Sequence, residues 1–181
     1  VASMSIQIEW IDWTKPSDRV EVRRLWDELY ERSTVRQPTS RFEQIELWFD
    51  AFAPHARREA LVAEENGRWL AVVPLLRTSL HGMLPSWEIP HCHWTPSPEI
   101  LFDAEQHRDP GLVGAVVHGL MRNGRWLLRA NELLGDSSVV QQVEQSLKGT
   151  PYQHDWATRY EIGKVPIHGA GAPKNWEDFL S

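Results

Sequence analysis

The sequence predicts an α/β fold in which strands and helices interleave along a single chain. Two observations carry this. Four stretches place apolar residues at helical spacing, each opened by a capping residue or a proline. Between the second and third of them the period shortens to that of strands, around an Asn66-Gly67 pair. Read in order, the elements run β-α-α-β-β-β-α-β-α-β.

Ile6 to Ile11 alternates apolar and polar residues, as a half-buried strand does. Asp18 and Glu21 make a capping box, and Val22, Leu25, Trp26, Leu29 and Tyr30 line one face of the helix that follows. Pro38-Thr39 breaks the chain. Ser40 and Glu43 form a second capping box ahead of Ile45, Trp48, Phe49 and Phe52, a stripe that stops before Pro54. Residues 60–65 and 68–76 are two strands joined by Asn66-Gly67, which supplies the positive φ values of a type I′ turn. Pro74 cannot donate to a ladder, so a bulge or strand end is expected there. Strand-like pieces follow at 83–89 and 100–102, on either side of a proline-rich stretch. The third helix opens with Asp109 as N-cap and Pro110 at its first position, carries Leu112, Val113, Val116, Val117, Leu120 and Met121 inward, and closes at Asn123-Gly124. A short strand at 126–129, a helix at 137–148 and a last strand at 157–162 complete the order.

At 181 residues the chain is long enough for one domain with a sizeable core. A net charge of −6 and a pI near 5.7 argue against a non-specific nucleic-acid or anionic-membrane surface. The mean hydropathy of −0.44 is ordinary for a soluble protein, and no apolar run has the ~20 residues of a membrane span. The single cysteine, Cys92, rules out an internal disulfide and fits a reducing compartment, so a cytoplasmic location is expected. Ten tryptophans against five phenylalanines are the compositional oddity. They fall mostly on apolar faces, which assigns them to the core; exposed and coplanar, they would suit a sugar.

Three stretches resemble a known family. They are Ser40 to Phe52, the hairpin Glu65-Asn66-Gly67-Arg68-Trp69-Leu70-Ala71-Val72-Val73-Pro74-Leu75, and Pro173-Lys174-Asn175-Trp176-Glu177-Asp178-Phe179-Leu180-Ser181. Together with the element order they resemble the GNAT acetyltransferases, and within them the Fem-like, cellulose-biosynthesis-associated proteins of bacteria. The resemblance implies a mixed, mostly antiparallel sheet flanked by about four helices over residues 1–163, and a linker with the start of a further helix over 164–181. It also implies that this is the N-terminal half of a tandem acyltransferase tied to cell-envelope polysaccharide or conjugate synthesis. Its partner would be a C-terminal GNAT-like domain, and its acceptor a sugar or an amine. The closing segment agrees: Asn175 caps a turn whose Trp176, Phe179 and Leu180 share one face, yet one turn cannot stand alone. The alternatives are a non-catalytic tryptophan-rich binding module and a complete single-domain acetyltransferase.

A GNAT donor site holds pyrophosphate on the N-terminus of the third helix, with the signature Q/R-x-x-G-x-G/A. Arg108, Gly111 and Gly114 are the candidates for a degenerate form of this loop. Val113 stands where Gly or Ala is usual, Pro110 removes a donor, and Asp109 puts a carboxylate in the phosphates' place. The expectation is therefore plain capping and no bound cofactor, with acetyl-CoA or another acyl-CoA held here only if the site is functional. His91-Cys92-His93 has the alternation of paired metal ligands but lacks a further ligand at matching spacing, so no metal is expected. Glu88 and Tyr160 could serve as base and acid by position alone, which leaves the catalytic residues unassigned.

Overall fold

The computed structural model describes residues 6–33, 37–91, 100–107, 109–122, 127–130, 138–148 and 150–151. They form β1 (Gln7–Asp12), α1 (Pro16–Arg32), a single 3-10 turn (Pro38–Ser40), α2 (Phe42–Phe52), β2 (Glu59–Glu65), β3 (Arg68–Leu80), β4 (Leu84–Glu88), β5 (Leu101–Phe102), α3 (Pro110–Met121), β6 (Leu128–Arg129) and α4 (Ser138–Leu147). The sheet runs β1-β2-β3-β4-β6, with β5 also on β3. All described pairings are antiparallel except β4 with β6. This is the predicted mixed α/β class. The final strand expected at 157–162 and the segment 164–181 lie outside the described residues.

Two helix starts differ from expectation. The first helix begins at Pro16, whose fixed φ suits the first helical position, so Asp18 sits within the first turn and donates its N–H to the Lys15 carbonyl at 3.1 Å. At α2 the N-cap is Arg41, because the Ser40 carbonyl is taken by the Trp26 indole N–H at 2.9 Å and Ser40 closes the 3-10 turn. Phe52, placed inward by periodicity, is 60% exposed because the helix ends on it.

The hairpin is as predicted: Asn66 and Gly67 have φ of 53° and 75°. The bulge is not at Pro74 but between Ala63 and Glu64. Pro74 pairs in register with Ala60 and is tolerated because it falls between β5, which reaches Val72, and β4, which begins at Leu76. On that side of β3 it has no ladder to interrupt.

Each face of the central strands is covered. One core joins Leu61, Ala71, Val73 and Leu75 to Leu112, Val113, Val116 and Val117 of α3. The other joins Val62 and Val72 to Trp13, Trp26, Leu29, Phe42 and Phe49 beneath α1 and α2. Trp13, Trp26 and Trp69 are buried, and Trp10, Trp48 and Trp87 are partly so, packed against these cores. The remaining tryptophans lie outside the described residues. Trp13 is closed in by a polar shell: its indole N–H donates to Glu46 Oε1 at 2.7 Å, and Arg58 donates to Glu46 Oε2 at 2.8 Å and to Asp50.

Asp103, just after β5, is 1% exposed and holds several elements together. Its Oδ2 accepts from Arg32 Nε at 3.0 Å and Arg68 Nη2 at 2.6 Å, and its Oδ1 from the Glu105 N–H at 3.1 Å. Burial pushes its pKa up, but the hydrogen bonds from Arg68, Arg32 and Glu105 outweigh that and leave it below the ordinary carboxyl value.

Two outcomes follow from this packing. A Cβ on Gly119 would stand 2.5 Å from Ile8 Cγ2 and 3.2 Å from Leu61 Cδ2. Gly119→Ala should therefore destabilise the fold by about 1–3 kcal/mol, exceeding the ~1 kcal/mol of helix propensity it gains; a urea midpoint that stays or rises would contradict this. Because the folded pKa of Asp103 is depressed, its contribution is present above the unfolded carboxyl value near 4 and is lost as pH falls through the folded value. Asp103→Ala should cost about 2 kcal/mol at pH 7, and the gap to wild type should narrow below about pH 4 in chemical denaturation.

Candidate active site

Both β4 and β5 run antiparallel to β3, with Leu76 opposite Glu88, Val72 opposite Leu101 and Ala71 opposite Phe102. They therefore follow one another along β3, β4 opposite residues 76–80 and β5 opposite residues 71–72. Alongside β4 runs β6, in parallel: Trp87 donates its N–H to the Leu127 carbonyl at 2.9 Å and Ile89 to the Arg129 carbonyl at 3.1 Å. Among the described residues β5 ladders with β3 alone. Among the described residues the sheet thus has a neighbour strand beside β4 and none beside β5. The carboxyl end of a strand beside a parallel neighbour, here the seam between β4 and β6, is the usual place for a ligand in sheets with parallel strands.

The side chains at this seam are polar. Glu88 is the last residue of β4 and is 5% exposed. Its cross-strand partner Arg129 donates through Nη2 to Glu88 Oε2 at 2.5 Å. His91, three residues on, places Nδ1 3.0 Å from Glu88 Oε1. Two residues before Glu88, Ser86 is buried with its Oγ 2.7 Å from Thr78 Oγ1. A carboxylate on Nδ1 fixes that ring's proton there and leaves the basic lone pair on Nε2, the arrangement of a proton acceptor oriented by an acid. The His91 side chain is 19% exposed and that of Arg129 38%, so both reach solvent from a buried anchor. Arg129 bonds among the described residues through Nη2 alone, and its buried Nε has no acceptor.

The predicted phosphate loop lies elsewhere, at the start of α3. There the Asp109 carboxylate accepts the Gly111 N–H at 2.8 Å, Val113 donates to the Asp109 carbonyl at 3.2 Å, and Pro110 has no N–H. An added Cβ on Gly111 would approach Asp109 Oδ1 to 3.2 Å, whereas one on Gly114 would meet open space. Gly111 thus serves the cap. The helix end that would receive a pyrophosphate is already occupied by a carboxylate, and the residues as arranged do not fit that group. Arg108 lies outside the described residues, as do Cys92, His93 and Tyr160.

Other candidates resolve into structure. No three His, Cys, Asp or Glu side chains gather as metal ligands among the described residues. His107 Nδ1 lies 2.7 Å from the Ala104 carbonyl within a turn. A groove of about 380 Å³ lies along α1 and α2, lined by Arg19, Arg23, Glu43, Glu46 and Asp50 among others. Its charges pair with one another or with Arg58, at 3.4 Å for Arg19–Glu46, 3.8 Å for Arg23–Glu43 and 2.5 Å for Arg58–Asp50, and the one buried donor there without an acceptor, Arg19 Nε, belongs to a paired guanidinium. Sequence reading had placed Glu88 by position only and missed Arg129. The Glu88–His91 spacing was visible, but Arg129 is 41 residues away and is brought in only by the parallel pairing.

No family model and no curated protein matches the chain. Solved structures of similar outline include a ribosomal-protein-alanine N-acetyltransferase from Brucella melitensis biovar Abortus 2308, at 16% identity and TM-score 0.48, covering 88% of this chain and 99% of that one. Another is an aminoglycoside acetyltransferase from an uncultured soil metagenomic sample, crystallised with sisomicin, at 12% identity and TM-score 0.46, covering 87% and 97%. A third is the aminoglycoside N-acetyltransferase AAC(6')-Iy in complex with CoA, at 12% identity and TM-score 0.43, covering 88% and 97%. Likenesses this distant concern the course of the chain, and the residues at the seam stand on their own geometry. No helix among the described residues is long and apolar enough to cross a membrane.

Proposed function

We propose that this chain is a GNAT-type acyltransferase domain whose reacting centre is the seam between β4 and β6. The observation that carries the reading is the parallel pairing of β6 with the end of β4, where Glu88 is held by both His91 and Arg129. The substrates are an acyl thioester and an amine or hydroxyl. The acceptor attacks the thioester carbonyl carbon and its proton passes to His91 Nε2. Backbone N–H groups at the seam stabilise the developing oxyanion. The tetrahedral adduct then collapses, the C–S bond breaks, and the thiolate leaves to take up a proton. Glu88 holds the His91 ring and balances its charge when protonated.

A second reading is favoured by one specific observation, the Asp109 carboxylate on the Gly111 N–H. On it this chain is the acceptor-side, N-terminal half of a tandem protein serving envelope polysaccharide or conjugate synthesis, with the thioester held in a C-terminal GNAT-like domain. The three stretches that resemble the Fem-like branch support that finer assignment.

Calorimetric titration with acetyl-CoA separates the two. Micromolar binding, together with thiol release when an amine panel is added, supports the first; no binding at millimolar acetyl-CoA supports the second. In the first case His91→Gln should lower turnover by about 10²–10⁴-fold while leaving the melting temperature within a few degrees, and undiminished turnover would remove His91 from the mechanism. Asp109→Ser keeps a capping hydroxyl and removes the negative charge. It should tighten acetyl-CoA about tenfold if the donor's phosphates sit on α3, and an unchanged Kd would place them elsewhere.

A further inference from the structure

The charge state of the seam says what kind of acceptor it selects, an inference that rests on the acyl-transfer reading above. Among the described residues Glu88 is the only carboxylate bonded there, and both its oxygens are engaged, Oε1 by His91 and Oε2 by Arg129. Glu88 therefore offers a cationic amine no uncompensated negative charge. Arg129 is the less committed partner. Its guanidinium has five N–H donors, of which those on Nη2 alone are used among the described residues. A planar guanidinium is shaped to take a carboxylate through two parallel N–H groups. With its side chain 38% exposed, Arg129 can receive such a group from solvent without leaving Glu88 uncovered, because His91 remains on the other oxygen.

We propose that the acceptor carries a carboxylate close to its nucleophile, as an amino acid or an acidic peptide terminus does, and that Arg129 binds it. The overall charge of −6 does not draw in such an anion, so the selectivity is local and comes from this one guanidinium.

The test measures acceptor binding without any donor, so it does not depend on turnover. L-glutamate and butylamine are each titrated into the full chain, followed by ligand-observed NMR. Glutamate should bind at least tenfold more tightly than butylamine, Arg129→Gln should abolish that preference, and Arg129→Lys should keep part of it. Equal or tighter binding of butylamine by the wild-type chain overturns the proposal, as does a preference for glutamate that survives in Arg129→Gln. If Arg129→Gln fails to fold, the wild-type preference and the Arg129→Lys variant still decide. An Arg129-dependent preference for glutamate with no thiol release from acetyl-CoA would instead count against the acyl-transfer reading alone.

Discussion

The Asp103 carboxylate fixes where the line of β4 and β5 runs, and the seam depends on that line. Asp103 follows β5 directly; its N–H donates to the Leu70 carbonyl on β3, and its oxygens gather Arg32 from the end of α1 and Arg68 from the start of β3. A bridge from Ser33 to Asp103 and a hydrogen bond from the Ala104 N–H to the Arg32 carbonyl complete the junction. A two-residue strand would not hold its register by ladder bonds alone. Two guanidiniums on one carboxylate supply charge-assisted bonds that do. β5 is thus held against β3 at a fixed place, and among the described residues the sheet has a strand beside β4 and none beside β5.

A second constraint is the burial of the central strands on both faces. Leu61, Ala71 and Val73 face α3 while Val62 and Val72 face α1 and α2. A one-residue slip between β2 and β3 would exchange these sets, so the register is set by packing as well as by the Asn66-Gly67 turn. Gly119 belongs to the same constraint, since α3 lies close enough to Ile8 and Leu61 to leave no room for a methyl group. Rigidity of this kind is what lets a pair such as Glu88 and Arg129, on different strands, stay hydrogen-bonded.

Much of this was legible in the sequence. Periodicity gave the helices, Asn66-Gly67 gave the hairpin, and Asp109-Pro110 gave the start of α3 with its cap. The misplaced helix starts share one cause: capping boxes were read locally, while Pro16 and the Trp26 indole decided the outcome through φ restriction and a tertiary hydrogen bond. A bulge or strand end is expected at Pro74 because a lost donor usually disrupts a ladder; β3 instead runs on to Leu80, and among the described residues that stretch has a neighbour on one side only. The seam was the least legible part. Glu88 and His91 are three apart and could be paired on paper, but Arg129 enters through a parallel pairing whose register no local pattern encodes.

The two ends of the candidate machinery differ in how they treat charge. At α3 the helix dipole is answered by the chain's own Asp109, a stabilising arrangement that discourages a second anion. At the seam a carboxylate is buried and answered by two groups, each of which reaches solvent. Burying Glu88 costs desolvation that one exposed partner would not offset, whereas two partners on separate oxygens do so and also orient a histidine. An apolar pair at positions 88 and 129 would serve the pairing of β4 with β6 as well or better. A buried carboxylate at the end of β4, bonded to an imidazole, is therefore what supports the acyl-transfer proposal at this place.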